Sequence, residues 1–290
     1  MELLTQGIVS GVLIGGLYAL MALGLSLSWG ALKIINLAHF SFILLSAYLV
    51  YQLTISYEVD PLLTTVVVVP LFFVVGALMQ VFFHLAKVDE FKSLIVTFGI
   101  FIILQSLMRT IWSADFRRIG STLNPYATES FFIGNIALGM PRLTAFGAAL
   151  VIAVTMSLLL SRSYFGKAVR AVAQDTDMAR AFGIDPRRVA VILSGLTTAF
   201  SALAGVFIAI GQAIFPGLAV SWFGVVFSVV ILGGLGHTIG ALTAGLIVGV
   251  AAGAAGVTWG PLAAPLVTFV ILIAALLFRP EGLLTRRGLA

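Results

Sequence analysis

Asn36 and His39 are the pair of polar residues whose spacing points most clearly to ligand handling. They lie three residues apart, about one helical turn, in an apolar stretch that follows the turn at Gly30–Lys33. Polar side chains inside such a stretch often line a transport path. With Ser41 and Tyr48 they are our candidate lining for the path of a small solute. An alternative stays open, in which Asn36 and His39 bond to neighbouring backbone and hold a helix break.

The sequence favours no chemistry that makes or breaks covalent bonds. It has no cysteine, and its three histidines are scattered with no suitably placed carboxylate, so we predict no metal site. Gly233–Gly240 lacks the Gly-Lys-Ser/Thr ending of a phosphate-binding loop, and no nucleophile–base pair is evident. We therefore predict that the chain is not an enzyme and binds no cofactor. His84 is predicted at a membrane interface, and His237 is a candidate contact with a partner subunit.

The body that positions these residues has the composition of a membrane protein. Ninety consecutive residues, Val189–Phe278, contain no Asp, Glu, Lys or Arg, whereas one spanning helix needs only about 20 residues. Of the 290 residues, 61% are hydrophobic and 9% are charged. The net charge of +5 comes from basic residues near the ends of apolar segments, where membrane topology favours them. We therefore predict a bilayer environment and no nucleic-acid partner.

The apolar windows predict an all-α polytopic fold in a single domain, 1–290. Before the long uncharged run, the windows are 3–32, 34–57, 61–86, 93–108 and 143–161. Within that run, Gly and Pro mark turns at 215–217, 233–240 and 259–261. The prediction is about nine membrane segments, between eight and ten. Because Ser221–Leu232 is short for a span, we interpret it either as a tilted helix or as a re-entrant half-helix.

Basic residues predict the orientation of the chain. If the segments alternate, twelve of the sixteen Lys and Arg residues lie on the side of the loop 162–188, which is therefore predicted to be cytoplasmic. The N-terminus is then outside, and the C-terminal tail with Arg279, Arg286 and Arg287 is inside. The first span of residues 1–112 and the first span of residues 189–290 cross the bilayer in opposite directions. This predicts two inverted halves. Between them, 113–188 holds an outer loop, an extra span and the charged loop.

Rows of glycine occur at every fourth position in two apolar segments. The rows are Gly7, Gly11 and Gly15, then Gly245, Gly249 and Gly253, with Gly256 and Gly260 as a further pair. On a helix, such a row forms a flat groove for a neighbouring backbone. We predict close helix packing at these rows, and the alternative is a sliding seam between moving bundles.

The loop 162–188, named the elbow here, carries nine of the 27 formal charges. Lys167–Gln174 has the pattern of a short amphipathic helix, and Gly183 would end a second helix in the left-handed conformation. Candidate N-caps are Asp175 or Asp177 for the second helix and Asp185, before Pro186, for the next span. Two capped helices anchored to spans at both ends predict a rigid docking surface rather than a loose linker.

Several short motifs, each present once, occur in a characteristic order along nearly the whole chain. They are Gly16–Leu27, Asn36–His39 with Ala47-Tyr48, Gly166–Asp175 with Ala179 and Gly183-Ile184, Gly233–Gly236 with Gly240-Ala241, and Arg279–Leu283. This set closely resembles the LivH-type permeases of branched-chain amino acid ABC importers. Two positions depart from the family pattern. Phe40 stands where Gly usually follows Asn-x-Ala-His, and His237 stands where Ser is usual.

The resemblance implies a multi-pass permease subunit of a bacterial inner (plasma) membrane that moves branched-chain or other small amino acids. It implies four kinds of partner: a second permease, homologous rather than identical; two cytoplasmic ATPases, which use the ATP; a periplasmic substrate-binding protein; and the bilayer. The elbow would be the coupling helix pair seated on an ATPase. Its candidate coupling residues are Arg170, Ala171, Asp175, Asp177, Ala179, Arg180, Phe182, Gly183 and Ile184.

Two other functions remain compatible with the sequence. A permease for urea, amides or aromatic carboxylates could share the same pattern. A gradient-driven secondary carrier is the other alternative, but such carriers usually keep ionisable residues inside their spans. The spans of this chain contain almost none, which favours a transporter powered by separate ATPases.

Overall fold

A computed structural model describes residues 2–127, 129–134, 136–279 and 282–283. The helices are α1 (Glu2–Leu32), α2 (Ala38–Tyr57), α3 (Thr65–Leu85), α4 (Glu90–Trp112), α5 (Met140–Arg162), α6 (Tyr164–Gln174), α7 (Thr176–Ala181), α8 (Pro186–Gly211), α9 (Leu218–Gly233), α10 (Thr238–Thr258) and α11 (Ala263–Phe278). A short 3₁₀ turn covers Pro125–Ala127. Two strands, β1 (Ser130–Ile133) and β2 (Ile136–Gly139), form an antiparallel hairpin in the predicted outer loop. The tail residues Arg286 and Arg287 lie outside the described residues.

The helical membrane fold predicted from the sequence is confirmed. Within the described residues, seven helices are long and apolar enough to cross a bilayer, namely α1 to α5, α8 and α10. Helices α9 and α11 are also apolar but have 16 residues each, a length of about 24 Å against a hydrocarbon core of about 30 Å. The predicted number of about nine segments is reached only if both short helices are counted.

The helix ends follow local signals in the sequence. Asp89 is the N-cap of helix α4. Its Oδ1 accepts a hydrogen bond from the backbone N–H of Lys92 at 2.8 Å, and its Oδ2 lies 3.0 Å from Lys92 Nζ. The bond from the backbone N–H, and to a smaller extent that from the Lys92 side chain, lower the pKa of the Asp89 carboxyl. Helix α2 ends at Glu58 in the left-handed conformation. Charged residues therefore mark the turns between the apolar helices.

The glycine rows of α1 and α10 pack against each other. A Cβ added to Gly11 would lie 2.5 Å from the carbonyl oxygen of Gly249, and one added to Gly15 would lie 2.6 Å from that of Gly245. Any side chain would force the two backbones apart, so glycine is required at this contact. The predicted close packing is confirmed for these two rows. It is wrong for the further pair, because a Cβ added to Gly256 or to Gly260 would meet nothing within 4 Å.

Helices α1, α2 and α8 form the buried centre, and α3, α4 and α5 lie more to the outside. Helix α1 packs on α10, and α3 packs on α8. Helix α2 contacts α4, and α9 contacts α11. The two central helices α1 and α8 also touch each other. This packing places the start of α2 against α1, α8 and α9.

The two ends of the helix bundle differ in composition. At one end, Lys33, Lys87 and the elbow surround a common cavity. At the other end, Asn124 Nδ2 donates to the Ile210 carbonyl at 3.0 Å, and Tyr126 OH donates to Asp60 Oδ2 at 2.9 Å. Burial, and then the bond to Asp60, raise the pKa of Tyr126. The elbow therefore lies at the basic end, as the alternation of segments predicts.

Candidate transport path and coupling elbow

The segment between α1 and α2 is a helix break held by hydroxyl groups of α4. The backbone N–H of Ile35 donates to Ser93 Oγ at 3.2 Å, and that of Leu37 donates to Thr97 Oγ1 at 3.0 Å. Both hydroxyl residues are fully buried. The two bonds are partly buried, and backbone donors withdrawn from water need such partners, so Ser93 and Thr97 stabilise the break. Neither residue was predicted from the sequence, because their role depends on how closely α4 approaches the break.

Asn36 lies within this break and not on the helix that carries His39, since α2 begins at Ala38. The predicted placement of the pair on one helical turn is therefore wrong. The backbone carbonyl of Asn36 accepts from the His39 N–H at 3.3 Å. Its side chain is buried, and its Oδ1 has no hydrogen-bond partner among the described residues. A buried amide oxygen in that state has capacity to accept a bond from a solute.

His39 faces α1 from the first turn of α2. Its Nε2 lies 2.8 Å from the carbonyl oxygen of Met21, and the residue is buried. The ring occupies space beside Gly24, because a Cβ at that position would lie 2.6 Å from His39 Cε1. The imidazole therefore bonds to neighbouring backbone, which is what the alternative interpretation of this residue expects.

Ser41 and Tyr48 both face α4 from α2, two turns apart. Ser41 Oγ donates to the Phe101 carbonyl at 3.2 Å. The ring of Tyr48 stacks on Trp112, with centroids 4.9 Å apart and planes 23° apart. The Tyr48 hydroxyl is buried and has no partner among the described residues. The four candidate path residues are thus all near α2 but face different neighbours.

Phe40, which departs from the family pattern, fills the space between α2 and α9. Its ring centroid lies 4.1 Å from that of Phe223 and 5.9 Å from that of Phe227. Phe101 of α4 joins this cluster, 5.3 Å from Phe223. The phenyl group of Phe40 therefore packs at the contact between the two predicted halves, next to His39 in the sequence.

Four further buried polar side chains were not predicted from the sequence. Oxygen or nitrogen atoms of Thr54, Gln80, Gln105 and Asn124 have no hydrogen-bond partner among the described residues. Gln105 is the most unusual, because neither polar atom of its amide is bonded. A lone glutamine within an apolar helix was the available signal, since its burial is costly without a partner.

The elbow has the capped helices predicted for it. Asp175 Oδ1 accepts from the backbone N–H groups of Asp177 and Met178 at 2.9 and 3.0 Å, so Asp175 is the N-cap of α7. Gly183 follows α7 with φ +82°. Asp185 caps α8, whose first residue is Pro186. The first elbow helix is longer than predicted and begins at Tyr164, where Ser163 Oγ accepts from the Gly166 N–H at 3.0 Å.

The inner side of the elbow joins it to both halves of the chain. Val169 of α6 packs in a buried cluster with Val189 and Leu193 of α8. Ala31 and Leu32, at the end of α1, pack against the same cluster. The elbow therefore contacts the helices that begin the two predicted halves.

Ala179 lies inside the elbow and not on its outer surface. Only 3% of the residue is exposed, and its carbonyl accepts from the Ile184 N–H at 3.0 Å. The predicted place of Ala179 on a docking face is corrected accordingly, because Ala179 is the residue of the six-residue helix α7 that faces inward. Ala171 and Ile184 are half-buried.

The outer side of the elbow presents apolar and charged groups together. Phe182 is 81% exposed and Tyr164 is 89% exposed, and Met178 is also exposed. Arg180 pairs with Asp177 at 3.2 Å, with both side chains largely in solvent. Arg170 donates to the Leu160 carbonyl of α5. Exposed aromatic residues on a rigid segment are typical of a contact surface.

His237 is exposed in the turn between α9 and α10, which lies on the end of α1. In that turn, the Gly236 N–H donates to the carbonyl of Ser26 at 3.0 Å, and a Cβ on Gly30 would overlap Gly236. Gly30 and Gly236 therefore allow the two backbones to approach closely. His237 and Arg170 line a common cavity of about 520 Å³. Within the described ranges no cluster of three metal-ligating side chains is present.

Comparison with known proteins gives consistent matches. Residues 7–277 match the family described as "branched-chain amino acid transport system / permease component". The chain is 27% identical to the permease protein BraD of a high-affinity branched-chain amino acid transport system from Pseudomonas aeruginosa, covering 97% of this chain and 95% of BraD. It is 26% identical to LivH of Escherichia coli, with 97% and 95% covered. No solved structure matches the chain.

A third relative has a similar level of identity. The probable LivH permease of Methanocaldococcus jannaschii is 26% identical, with 95% of this chain and 91% of that protein covered. Such permeases are transport components and not enzymes, and the seven long apolar helices of this chain make it a multi-pass membrane protein. The chain therefore belongs to the family of permease components of branched-chain amino acid transport systems and acts as a permease subunit of an ABC importer.

Proposed function

We propose that this chain forms part of the path by which an ABC importer moves branched-chain or other small amino acids across the inner membrane. The match over residues 7–277 carries this proposal, and the names of the relatives support the solute class. Two cytoplasmic ATPases hydrolyse the ATP, a second, homologous permease completes the path, and a periplasmic binding protein delivers the solute. Because the spans hold few charges, selectivity lies largely in that binding protein.

The two inverted halves, 1–112 and 189–290, are the moving units of an alternating-access mechanism in this proposal. Exchanging the halves replaces α1 by α8, α2 by α9, α3 by α10 and α4 by α11. The contact of α1 with α10 then becomes that of α8 with α3, and the contact of α2 with α4 becomes that of α9 with α11; all four occur. This pairing supports a pseudo-twofold arrangement with the path near the interface of the halves.

The elbow end is cytoplasmic and the N-terminus is outside in this proposal, as the positive-inside rule favours. The chain has no native cysteine, so single cysteines report the side directly. We would place them at Thr5 and Thr176 and label intact cells with an impermeant thiol reagent. The expected result is labelling at position 5 only. Labelling at position 176 would reverse the orientation.

Coupling to the ATPases is assigned to the elbow. Its exposed Phe182 and Tyr164 supply an apolar contact, while its inner side contacts α1 and α8. We expect an ATPase dimer to co-purify with the full-length permease and to lose that association when Phe182 is changed to Ser. The control is Phe116→Ser, an exposed aromatic residue at the opposite end of the bundle. Equal loss in both variants would show a general folding defect.

The solute is tested by uptake into liposomes that contain the assembled importer. We expect ATP-dependent uptake of leucine or valine with loaded binding protein, and little uptake of urea, acetamide or benzoate. Preference for one of the latter three would establish the alternative solute class. The permease alone should neither hydrolyse ATP nor move solute on a proton or sodium gradient, and gradient-driven uptake would establish a secondary carrier.

A further inference from the structure

A cavity of about 620 Å³ lies at the basic end of the bundle. It is enclosed by the end of α1, the turn between α3 and α4, the elbow and the start of α8. This volume is within the usual range for ligand sites. The part of its wall nearest the spans is apolar and includes Ile34, Phe83 and Val172, so the cavity combines an apolar floor with a charged rim.

Cations of the rim outnumber the anions that are free to neutralise them. Lys33, Lys87 and Arg187 line the cavity and form no ion pair within the described part of the chain. Three acidic residues line the cavity, namely Asp89, Glu90 and Asp175. Asp89 is paired with Lys92 and Asp175 is used as a helix cap, so Glu90 alone is left to offset the three cations. The rim therefore has unneutralised positive charge.

Both lysines of the rim occupy positions where the backbone favours glycine. Lys33 follows the end of α1 with φ +54°, and Lys87 follows the end of α3 with φ +49°. A residue with a side chain is less stable in this left-handed region than glycine is. Lysine at both positions thus places two ammonium groups at one cavity rim despite a conformational cost.

Gln80 supplies an independent indication of a ligand in this cavity. It lies on the wall, only 5% of the residue is exposed, and its Oε1 has no hydrogen-bond partner among the described residues. An amide oxygen buried without a donor is unfavourable. A ligand that fits must therefore bring a hydrogen-bond donor as well as negative charge.

The surface beside the cavity indicates where the ligand comes from. Phe82, Leu85 and Phe91, on the outer side of the α3–α4 turn, are 51%, 80% and 72% exposed. In a membrane-embedded chain, acyl chains cover such a surface. Basic pockets between membrane helices are known to receive anionic lipid headgroups, and a lipid satisfies both the charged rim and this apolar flank.

We propose that the cavity binds the headgroup of an anionic phospholipid of the phosphatidylglycerol class. The phosphate lies near Lys33, Lys87 and Arg187, a glycerol hydroxyl donates to Gln80 Oε1, and the acyl chains follow the exposed flank of α3 and α4. The headgroup then links the turn of α3 and α4 to the elbow, so its presence stabilises the elbow against the bundle. This proposal does not depend on which solute is transported.

The experiment measures lipids retained by the full-length permease. The protein is purified in detergent from mixed vesicles of phosphatidylglycerol and phosphatidylcholine with identical acyl chains, and bound lipids are counted by native mass spectrometry. Wild type should retain phosphatidylglycerol in excess over the mixture. Lys33→Gln and Lys87→Gln should each weaken this retention about fivefold. Gln80→Glu, which keeps the size of the side chain and adds a negative charge, should weaken it further.

The matched control is Lys167→Gln, which removes an exposed cation of α6 outside the cavity. It should retain lipid as wild type does. Because Lys33 and Lys87 are exposed, their variants should elute as wild type does in size-exclusion chromatography. Equal retention in the wild type and in all three cavity variants would overturn the proposal. Displacement of the lipid by millimolar inorganic phosphate would show a site for a free anion and would also overturn it.

Discussion

The imidazole of His39 occupies the space that a side chain at Gly24 would need. A Cβ at Gly24 would lie 2.6 Å from His39 Cε1 and also 2.6 Å from the carbonyl oxygen of Thr197. Helices α1, α2 and α8 thus meet at this glycine. Because the three helices belong to both predicted halves, the contact fixes the spacing of the halves near the candidate path.

Replacing Gly24 by alanine should therefore destabilise the permease. Neither the His39 ring, bonded to Met21, nor the backbone of α8 has room to withdraw, so we expect a cost of about 1–3 kcal/mol from overpacking. The measurement is the thermal unfolding temperature in detergent. The control is Gly99→Ala in α4, where nothing lies within 4 Å and alanine should be neutral or stabilising. A Gly24→Ala protein as stable as wild type would contradict this packing.

The fold was predictable where the signal is local or compositional. Uncharged windows indicated the long apolar helices, and side-chain chemistry indicated the left-handed end at Gly183 and an N-cap at either Asp175 or Asp177. The glycine rows indicated close packing. Which helices meet was beyond the sequence, because a row spaced by four fits any backbone of suitable shape. The contact of α1 with α10 is a property of the assembled bundle.

The candidate site was less predictable for the same reason. Asn36 and His39 were selected by spacing on one helical turn, but Asn36 lies in the helix break and only His39 lies on α2. Ser93 and Thr97 hold that break from a distant part of the sequence. A hydroxyl group in an apolar helix usually bonds to its own backbone, so its sequence position does not reveal a tertiary role.

Asn36→Leu should separate transport from stability. The Asn36 side-chain oxygen is buried without a partner among the described residues, so leucine of similar size removes an unsatisfied group and should leave the unfolding temperature unchanged or raised. If Asn36 faces the solute, ATP-driven uptake should fall while basal ATP hydrolysis continues. Parallel loss of stability and transport would instead assign Asn36 to the helix break.

Thr97→Val should have the opposite effect, which makes it the companion test. It keeps the shape of the side chain but leaves the partly buried N–H of Leu37 without its acceptor, at a cost of about 1 kcal/mol. We expect a lower unfolding temperature and a proportional loss of folded protein. Unchanged stability would mean that the hydroxyl group does not hold the break.

Asp175→Ala should loosen the second elbow helix, whereas Asp177→Ala should not. Asp175 accepts two backbone N–H groups at the start of α7, and loss of such a cap costs about 1 kcal/mol. Asp177 makes an exposed ion pair with Arg180, which contributes little. Hydrogen exchange of α7 amides should therefore accelerate in the first variant alone. Equal acceleration in both would mean that charge, not capping, orders α7.

Gly183→Val should be the most damaging single change in the elbow. At φ +82°, a β-branched residue is strongly disfavoured, and the Gly183 and Ile184 N–H groups that close α7 would lose their bonds to Arg180 and Ala179. No atom lies within 4 Å of a Cβ at this position, so the effect within the chain is on backbone conformation and not on space. Gly183→Asn is the matched control, because asparagine tolerates this conformation.

The measurement is co-purification of the ATPases with each variant, together with ATP hydrolysis stimulated by loaded binding protein. We expect Gly183→Val to lose both and Gly183→Asn to keep most of each, while the unfolding temperature of the membrane body stays near wild type in both proteins. Arg180→Gln should be mild, since its ion pair is exposed. Ala179→Trp should act like Gly183→Val, because it overfills the buried interior of the elbow. If Gly183→Val and Ala179→Trp both retain wild-type coupling, the elbow is not the element through which the ATPases act.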